Sequence, residues 1–443
     1  RIGTQFHRKH VTVPLPDGLK MFPELLRNAG YYTANNRKLD YNAESGKEVW
    51  DESSGKASWR NRPDGQPFFY MQSFGVCHES SLHFSARQMA NQKTTTDPET
   101  VFVAPYHPDT TTFRYTNARY RDRIMDVDQQ IGNVVDQLLE DGLLEDTFIF
   151  YFGDHGGVLP RGKGYAYESG LHVPLVVRVP ENWKHLVDAK VGSRQNGFVC
   201  FIDFGPTALN LAGVDVPSQM DGKPFLGEGV SQQDLDQRDA AFGYADRFDE
   251  KYDLVRTLRK GKFEYIRNFQ PFIFDGLQNN YRYKMLAFEE WRNMYQAGSL
   301  NAQQRQFFEA RPVEQLFDIE ADPHEVNNLS GSAEHTEVLE QLRSEMTQRL
   351  KAMPDLSLYP ESVLAEQAFD NPLRFGQTHK SEIAQLIDTA NLALDDFDEA
   401  HPKLADALKS DNAMVRYWGL IACSSFGSAA QPLVPKAKDL AAS

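Results

Sequence analysis

The chain has 443 residues, 47 basic and 62 acidic side chains, a net charge of -15 and 41% hydrophobic residues. That length points to two or three domains at roughly 150 residues each, and the apolar share excludes a mostly disordered chain. No apolar run of about 18 residues is present to cross a membrane, and no cluster of Lys and Arg offers a nucleic-acid face.

In chain order, the pattern predicts a helix over residues 21–29, stopped by Gly30, then a short strand over 31–34. Residues 51–66 are polar and rich in Gly, Ser and Arg, and read as loop. PFFYMQSF (67–74) reads as a buried strand. Ile124, Val127, Ile131, Val134, Val135 and Leu138 share one face of a 3.6-residue period, which predicts a helix over 124–139 ended by Gly142. Strands are predicted over 147–152, 173–179 and 198–202, with Asp203 placed to cap a following helix. This alternation predicts an α/β class, with a mixed, mostly parallel sheet between helices.

The pattern changes after residue 235. Residues 254–258 and 263–268 flank Lys260-Gly261 as an antiparallel hairpin, Leu316 to Asp318 begins a short ordered piece, and a charged helix is expected over 335–353. From residue 354 the chain reads as helical. Segments 402–408 and 414–426 form a helix pair whose sequence, ALKSDNAMVRYWGLIACSSFG, resembles a HEAT repeat. One such unit cannot bury its own apolar face, so further repeats would be expected beyond Ser443. A plain helical hairpin packed on the main body is the equal alternative. The expected division is 1–235, 236–353 and 354–443. Cys77, Cys200 and Cys423 are far apart and lack a CxxC, which argues against a disulfide framework or a zinc ribbon. No signal peptide is evident.

Four places follow predicted strands and carry chemistry. Asp154 and His155, in GDHGG, are candidate metal ligands at a strand's carboxyl end; the alternative is a turn with an Asp cap. Arg161 and Lys163, in RGKGYAYESG, could hold an anionic oxygen cluster on a chain whose overall charge repels anions; the alternative is two solvated cations. His78, in FGVCHESS, could donate to an oxyanion or protonate a leaving group; a structural hydrogen bonder is the plainer reading. Lys38, in NNRKLDYN, is by itself a surface lysine. Brought to one rim, these residues make a metal-plus-cation site able to polarise a sulfuryl or phosphoryl group.

Together these blocks resemble the formylglycine-dependent (type I) sulfatases of the alkaline-phosphatase superfamily, from the start to about residue 350. The carriers are GYYTANNRKLDYN, QPFFYMQSFGVCHESS, TFIFYFGDHGGVLPRGKGYAYESGLHVPLVVRVPENW, FVCFIDFGPTALNLAGVDVPSQMDGKPFLG, LVRTLRKGKFEYIRNF and EQLFDIEADPHEVNNLS. The resemblance implies that Asp154 and His155 help coordinate one divalent cation, calcium, to which a His nitrogen is an unusual ligand. It implies that Lys38, His78 and Lys163 contact the sulfate, with His78 or a lysine assisting alcohol departure. Arg161, Arg247 within YADRFDEKYD, and His7 beside Arg8 are the expected substrate-pocket residues, and the substrate is a sulfated carbohydrate. In the family, hydrated formylglycine attacks sulfur and forms a covalent sulfate ester. The family's opening strand with its Asp pair, and its Cys/Ser-x-Pro/Ala-Ser-Arg motif, do not occur here. The nucleophile is therefore expected upstream of Arg1, and the chain as it stands is expected to be inactive. Lys38 is followed by Leu-Asp, where many relatives have a His two residues on. A phosphodiester or phosphonate hydrolase and an inactive scaffold are the alternatives. The resemblance implies a periplasmic or secreted protein.

Overall fold

The computed structural model describes residues 13–15, 18–36, 38, 39, 41, 43, 44 and 46–442. The α/β architecture expected from the sequence is present. A short helix, α1 (Phe22–Asn28), starts with a proline in its first turn and ends before Gly30, whose φ of 95° suits glycine. Strand β1 (Tyr32–Asn36) then pairs in parallel with β2 (Glu52–Ser53) and β3 (Phe68–Gln72), in the order β2-β1-β3.

The long helix α2 (Thr111–Glu140) begins well before the expected residue 124. Its first half hides its register because polar residues occupy the buried face. Thr116 and Asn117 are buried there and donate to the carbonyls of Thr112 and Phe113, four residues back, at 2.7 and 2.8 Å. Such back-bonding satisfies a buried polar side chain without a partner elsewhere. Thr110 caps the start by accepting from the Phe113 amide.

Strands β4 (Ile149–Phe152) and β5 (Leu175–Arg178) pair antiparallel. The strand expected over 198–202 is not formed. The Asp203 carboxylate accepts from the Cys200 amide at 2.9 Å and draws the chain into the turn Phe201–Asp203. Its other oxygen takes the Lys223 amide, so Asp203 ties loops together and does not cap α3 (Phe204–Leu211). Strand exposure follows sheet position. β1, with a neighbour on each side, is buried through its centre, whereas β3 and β4, each at the end of its sheet among the described residues, are partly exposed along their whole length.

A four-stranded antiparallel sheet follows: β6 (Ala240–Ala245), β7 (Val255–Lys260), β8 (Phe263–Asn268) and β9 (Glu314–Asp318), in chain order. Gly261, with φ 53°, makes the β7–β8 turn as expected. Between β8 and β9 lies α4 (Leu286–Gln296), whose Trp291 stacks on Phe307 at 4.3 Å. The helical part includes α5 (Thr336–Ala352), α6 (Lys380–Asn391) and the pair α7 (Phe397–Ala407) and α8 (Ala413–Ser424), with Asn412 capping α8.

Two apolar clusters hold these pieces together. One joins Leu258, Tyr265 and Leu316 of the four-stranded sheet to Leu342, Ile387 and Trp418 of the helices. The other joins the opposite sheet face, through Val255, Ile266 and Phe317, to Phe113 of α2 and to Tyr165 and Tyr167 of the loop after β4. That second cluster fixes the loop carrying Lys163 against the sheet.

Candidate active site

β1, β3 and β4 deliver their C-terminal ends to one rim. Lys38 lies two residues past β1, His78 six past β3 and Asp154 two past β4. Lys38 Nζ is 3.8 Å from Asp154 Oδ2. His78 feels the charges of Lys163, Lys38, His155 and Asp154. The structure therefore brings together five of the expected site residues: Lys38, His78, Asp154, His155 and Lys163.

The loop after β4 folds back on itself to do this. The Lys163 amide donates to the Gly157 carbonyl at 2.8 Å, and the Gly156 amide to the Gly170 carbonyl at 2.9 Å. A Cβ on Gly156 would lie 2.0 Å from the Ser169 carbonyl oxygen, so this turn admits only glycine.

His155 Nδ1 bonds its neighbour's carbonyl, Gly156 O, at 2.8 Å. A carbonyl only accepts, so Nδ1 carries the proton and Nε2 presents a lone pair. That Nε2 faces Asp154 Oδ1 at 3.4 Å, and the Asp154 side chain is 66% exposed. One oxygen donor and one nitrogen donor are thus poised side by side. Among the described residues no group of three or more His, Cys, Asp or Glu side chains could hold a metal ion. Calcium takes about six to eight oxygen ligands, so these residues fall short of a complete calcium site.

His78 caps a short turn, Glu79–Leu82, with Nδ1 near Ser80 Oγ at 3.0 Å and Tyr281 Oη at 3.4 Å. Its pKa is pushed below the usual imidazole value, first by burial and then by the positive charges of Lys163 and Lys38 and by neighbouring His155, with Asp154 opposing. The ring is therefore held toward its neutral form. Lys163, only 16% exposed, has its pKa lowered by burial, against the pull of Glu79.

The expected substrate-binding residues fare differently. Arg161 is buried, with φ 65°. Its guanidinium donates to the carbonyls of His324 and Glu325 at 2.8 and 2.9 Å and lies between the rings of Tyr106 and Tyr167. A slot of carbonyls and aromatic faces satisfies it away from the rim, so Arg161 joins loop to sheet and is not a substrate contact. Arg247 pairs with Glu361 of the helical part at 3.1 Å. The next residue, Phe248, lies under Lys163, so the 244–253 region does abut the rim. His7 and Arg8 lie outside the described residues.

Sequence reasoning missed Glu79, Tyr281 and Arg282. Glu79 is 2% exposed, 3.6 Å from Lys163 Nζ and 3.7 Å from Arg282 Nε. Arg282 also donates to the Lys163 carbonyl. A carboxylate directly after His78 was the one local signal; Tyr281 and Arg282 reach the site from far along the chain.

Comparison with known proteins bears on the family and the fold. Residues 2–214 match the sulfatase family. The chain is 35% identical over 387 residues to an ulvan-active sulfatase of Formosa agariphila, spanning 80% of this chain and 63% of that protein. It is 26% identical over 245 residues to an N-acetylglucosamine-6-O-sulfatase of Bacteroides thetaiotaomicron, spanning 53% of this chain and 36% of that protein. The chain thus spans less than two thirds of the length of these curated relatives. Among solved structures, it superposes with a TM-score of 0.50 on a protein in complex with its substrate D-glucosamine-2-N,6-O-disulfate, at 17% identity, covering 76% of this chain and 83% of the other. A Bacteroides thetaiotaomicron protein assigned to the sulfatases superposes with a TM-score of 0.52 at 14% identity, covering 80% and 78%. At those identities the likeness is one of fold. The chain has the alkaline-phosphatase-like α/β fold of the sulfatases.

Proposed function

From this sulfatase-like chain, we propose a protein that hydrolyses a sulfate ester on a carbohydrate, such as a fragment of a sulfated polysaccharide. The observation that carries the reading is the convergence of Lys38, His78, Lys163, Asp154 and His155 at one rim of strand ends. The 35% identity to an ulvan-active sulfatase supports the substrate class.

Each residue has a role its chemistry suits. Lys38 and Lys163 bind the sulfate oxygens as point charges and draw an anion to an acidic chain. His78, held toward neutral, donates a hydrogen bond to the bridging oxygen or relays a proton to the departing alcohol. Arg247 and the neighbouring Phe248, which lies under Lys163, contact the sugar.

Two groups are carried over from the family resemblance. A formylglycine upstream of Arg1 would supply the nucleophile when present. Asp154 and His155 would contribute two donors to a divalent cation whose remaining ligands lie outside the described residues. No helix among the described residues is long and apolar enough to cross a membrane. We place the protein in the periplasm or outside the cell, where sulfated polymers occur.

The test is sulfate release from ulvan fragments and from N-acetylglucosamine-6-sulfate by the protein from its natural source. Release, reduced by about a hundredfold or more in His78→Ala, is the expected result. Hydrolysis of phosphodiesters or phosphonates without sulfate release would favour the phosphoryl-transfer reading. Inertness toward both would favour a scaffold.

A further inference from the structure

Glu79 is in an unusual setting for a carboxylate. It is 2% exposed, and its Oε2 makes no hydrogen bond among the described residues. Its neighbours are two cations, Lys163 at 3.6 Å and Arg282 at 3.7 Å. The second cation is itself buried and firmly held. Arg282 donates to the Lys163 carbonyl and stacks over Phe248 at 3.8 Å, the ring that also lies under Lys163. Gly164 makes the approach possible, since a Cβ there would lie 2.6 Å from Arg282 Nη2.

A buried arginine and a half-buried lysine side by side repel, and burial disfavours each charge. A single carboxylate between them compensates one charge and leaves one positive charge over. Lys163 is the more exposed of the two, at 16% against 3% for Arg282, so it presents that charge to the rim. We propose that Glu79 is a positioning residue for Lys163: it fixes the ammonium at the rim and supplies the countercharge that lets Lys163 and Arg282 sit together. This assignment rests on the reading of Lys163 as a sulfate contact.

The charges that act on Lys163 are Glu79 and Asp154, which favour its ammonium form, and Arg282 and Lys38, which oppose it. His78 is within electrostatic reach as well. Neutralising Glu79 removes the carboxylate that acts on Lys163 most strongly and leaves both opposing cations in place. Lys163 should then lose its proton at lower pH than in the parent protein.

The experiment is an NMR titration of lysine Nζ in the full chain labelled with 15N-lysine, with the Lys163 signal identified by its loss in Lys163→Gln. In Glu79→Gln, the Lys163 midpoint is expected to move to lower pH; in Glu79→Asp, which keeps the charge at a longer distance, it should move less. An unchanged midpoint in a folded Glu79→Gln would overturn the proposal. Should Glu79→Gln not fold, an unchanged midpoint in Glu79→Asp would overturn it equally. Calorimetric titration of inorganic sulfate into the same proteins separates this proposal from the functional one. If the parent protein binds no sulfate but the Lys163 midpoint still shifts, Glu79 keeps its role and the sulfate reading of Lys163 fails.

Discussion

At the scale of single residues, the site depends on backbone that only glycine tolerates and on charges that partly cancel. Gly164 has φ 79°, and a Cβ would sit 2.6 Å from Arg282 Nη2 and 2.8 Å from Phe248 Cδ2. Gly164→Ala is expected to cost more than about 1 kcal/mol, seen as a lower thermal midpoint. His78, Asp154 and Lys163 were legible in the sequence because each stands in a short motif after an apolar strand, whereas Lys38 stood out only through the family resemblance. Glu79 was adjacent to one of them, yet nothing local showed that its carboxylate turns inward. Arg282 was illegible, because its bond to Lys163 spans 119 positions and exists only once the four-stranded sheet has packed on the loop. Arg161 was misjudged for the converse reason. A loop arginine reads as solvent-facing until the carbonyls of His324 and Glu325 are known to face it.

At the scale of elements, the loop after β4 is tied to the turn after β9 by buried carboxyl groups. Glu325 accepts the Glu168 amide at 3.0 Å, and its pKa is pushed up to about 8, chiefly by burial, with Arg161 opposing and Glu168 reinforcing. A carboxyl with a raised folded pKa binds its proton more tightly in the native state. Its contribution to stability is complete below the unfolded value of 4.5 and is lost as pH rises toward about 8. Stability to denaturant should therefore decline across that window, and Glu325→Gln should flatten the decline; an equally steep slope in the variant would refute the assignment. Element types were legible wherever apolar periodicity was strong, as in β3, β4 and the C-terminal half of α2. The N-terminal half of α2 was not, because its buried Thr and Asn residues bond back to their own helix and mimic a polar stretch.

At the scale of the whole molecule, the four-stranded sheet and the helical part form a common core, and an ion cluster sits at their junction. Arg256 of β7, fully buried, pairs with Asp246 just past β6 and with Asp355 just past α5, the latter at 2.6 Å. Both carboxylates also bond Ser357. Arg256→Met would strand two buried acids, a change expected to cost about 3–5 kcal/mol and to be read as a lower calorimetric unfolding temperature. This connection was not legible: Asp246 and Asp355 stand far apart in the chain, and neither lies in a recognisable motif.

The partly exposed strands at the sheet ends carry a liability of their own. β3 contributes Phe68, Phe69, Tyr70 and Met71, and β4 contributes Ile149 through Phe152. Among the described residues these strands end their sheets, and aromatic-rich edges with low charge are templates on which a second copy can add its own strand, the first step toward amyloid-like stacking. A concentrated solution of this chain should scatter light and gain cross-β diffraction over time. A lysine placed on the β3 edge, as in Met71→Lys, should slow that growth, because a charge at an edge makes continued stacking costly.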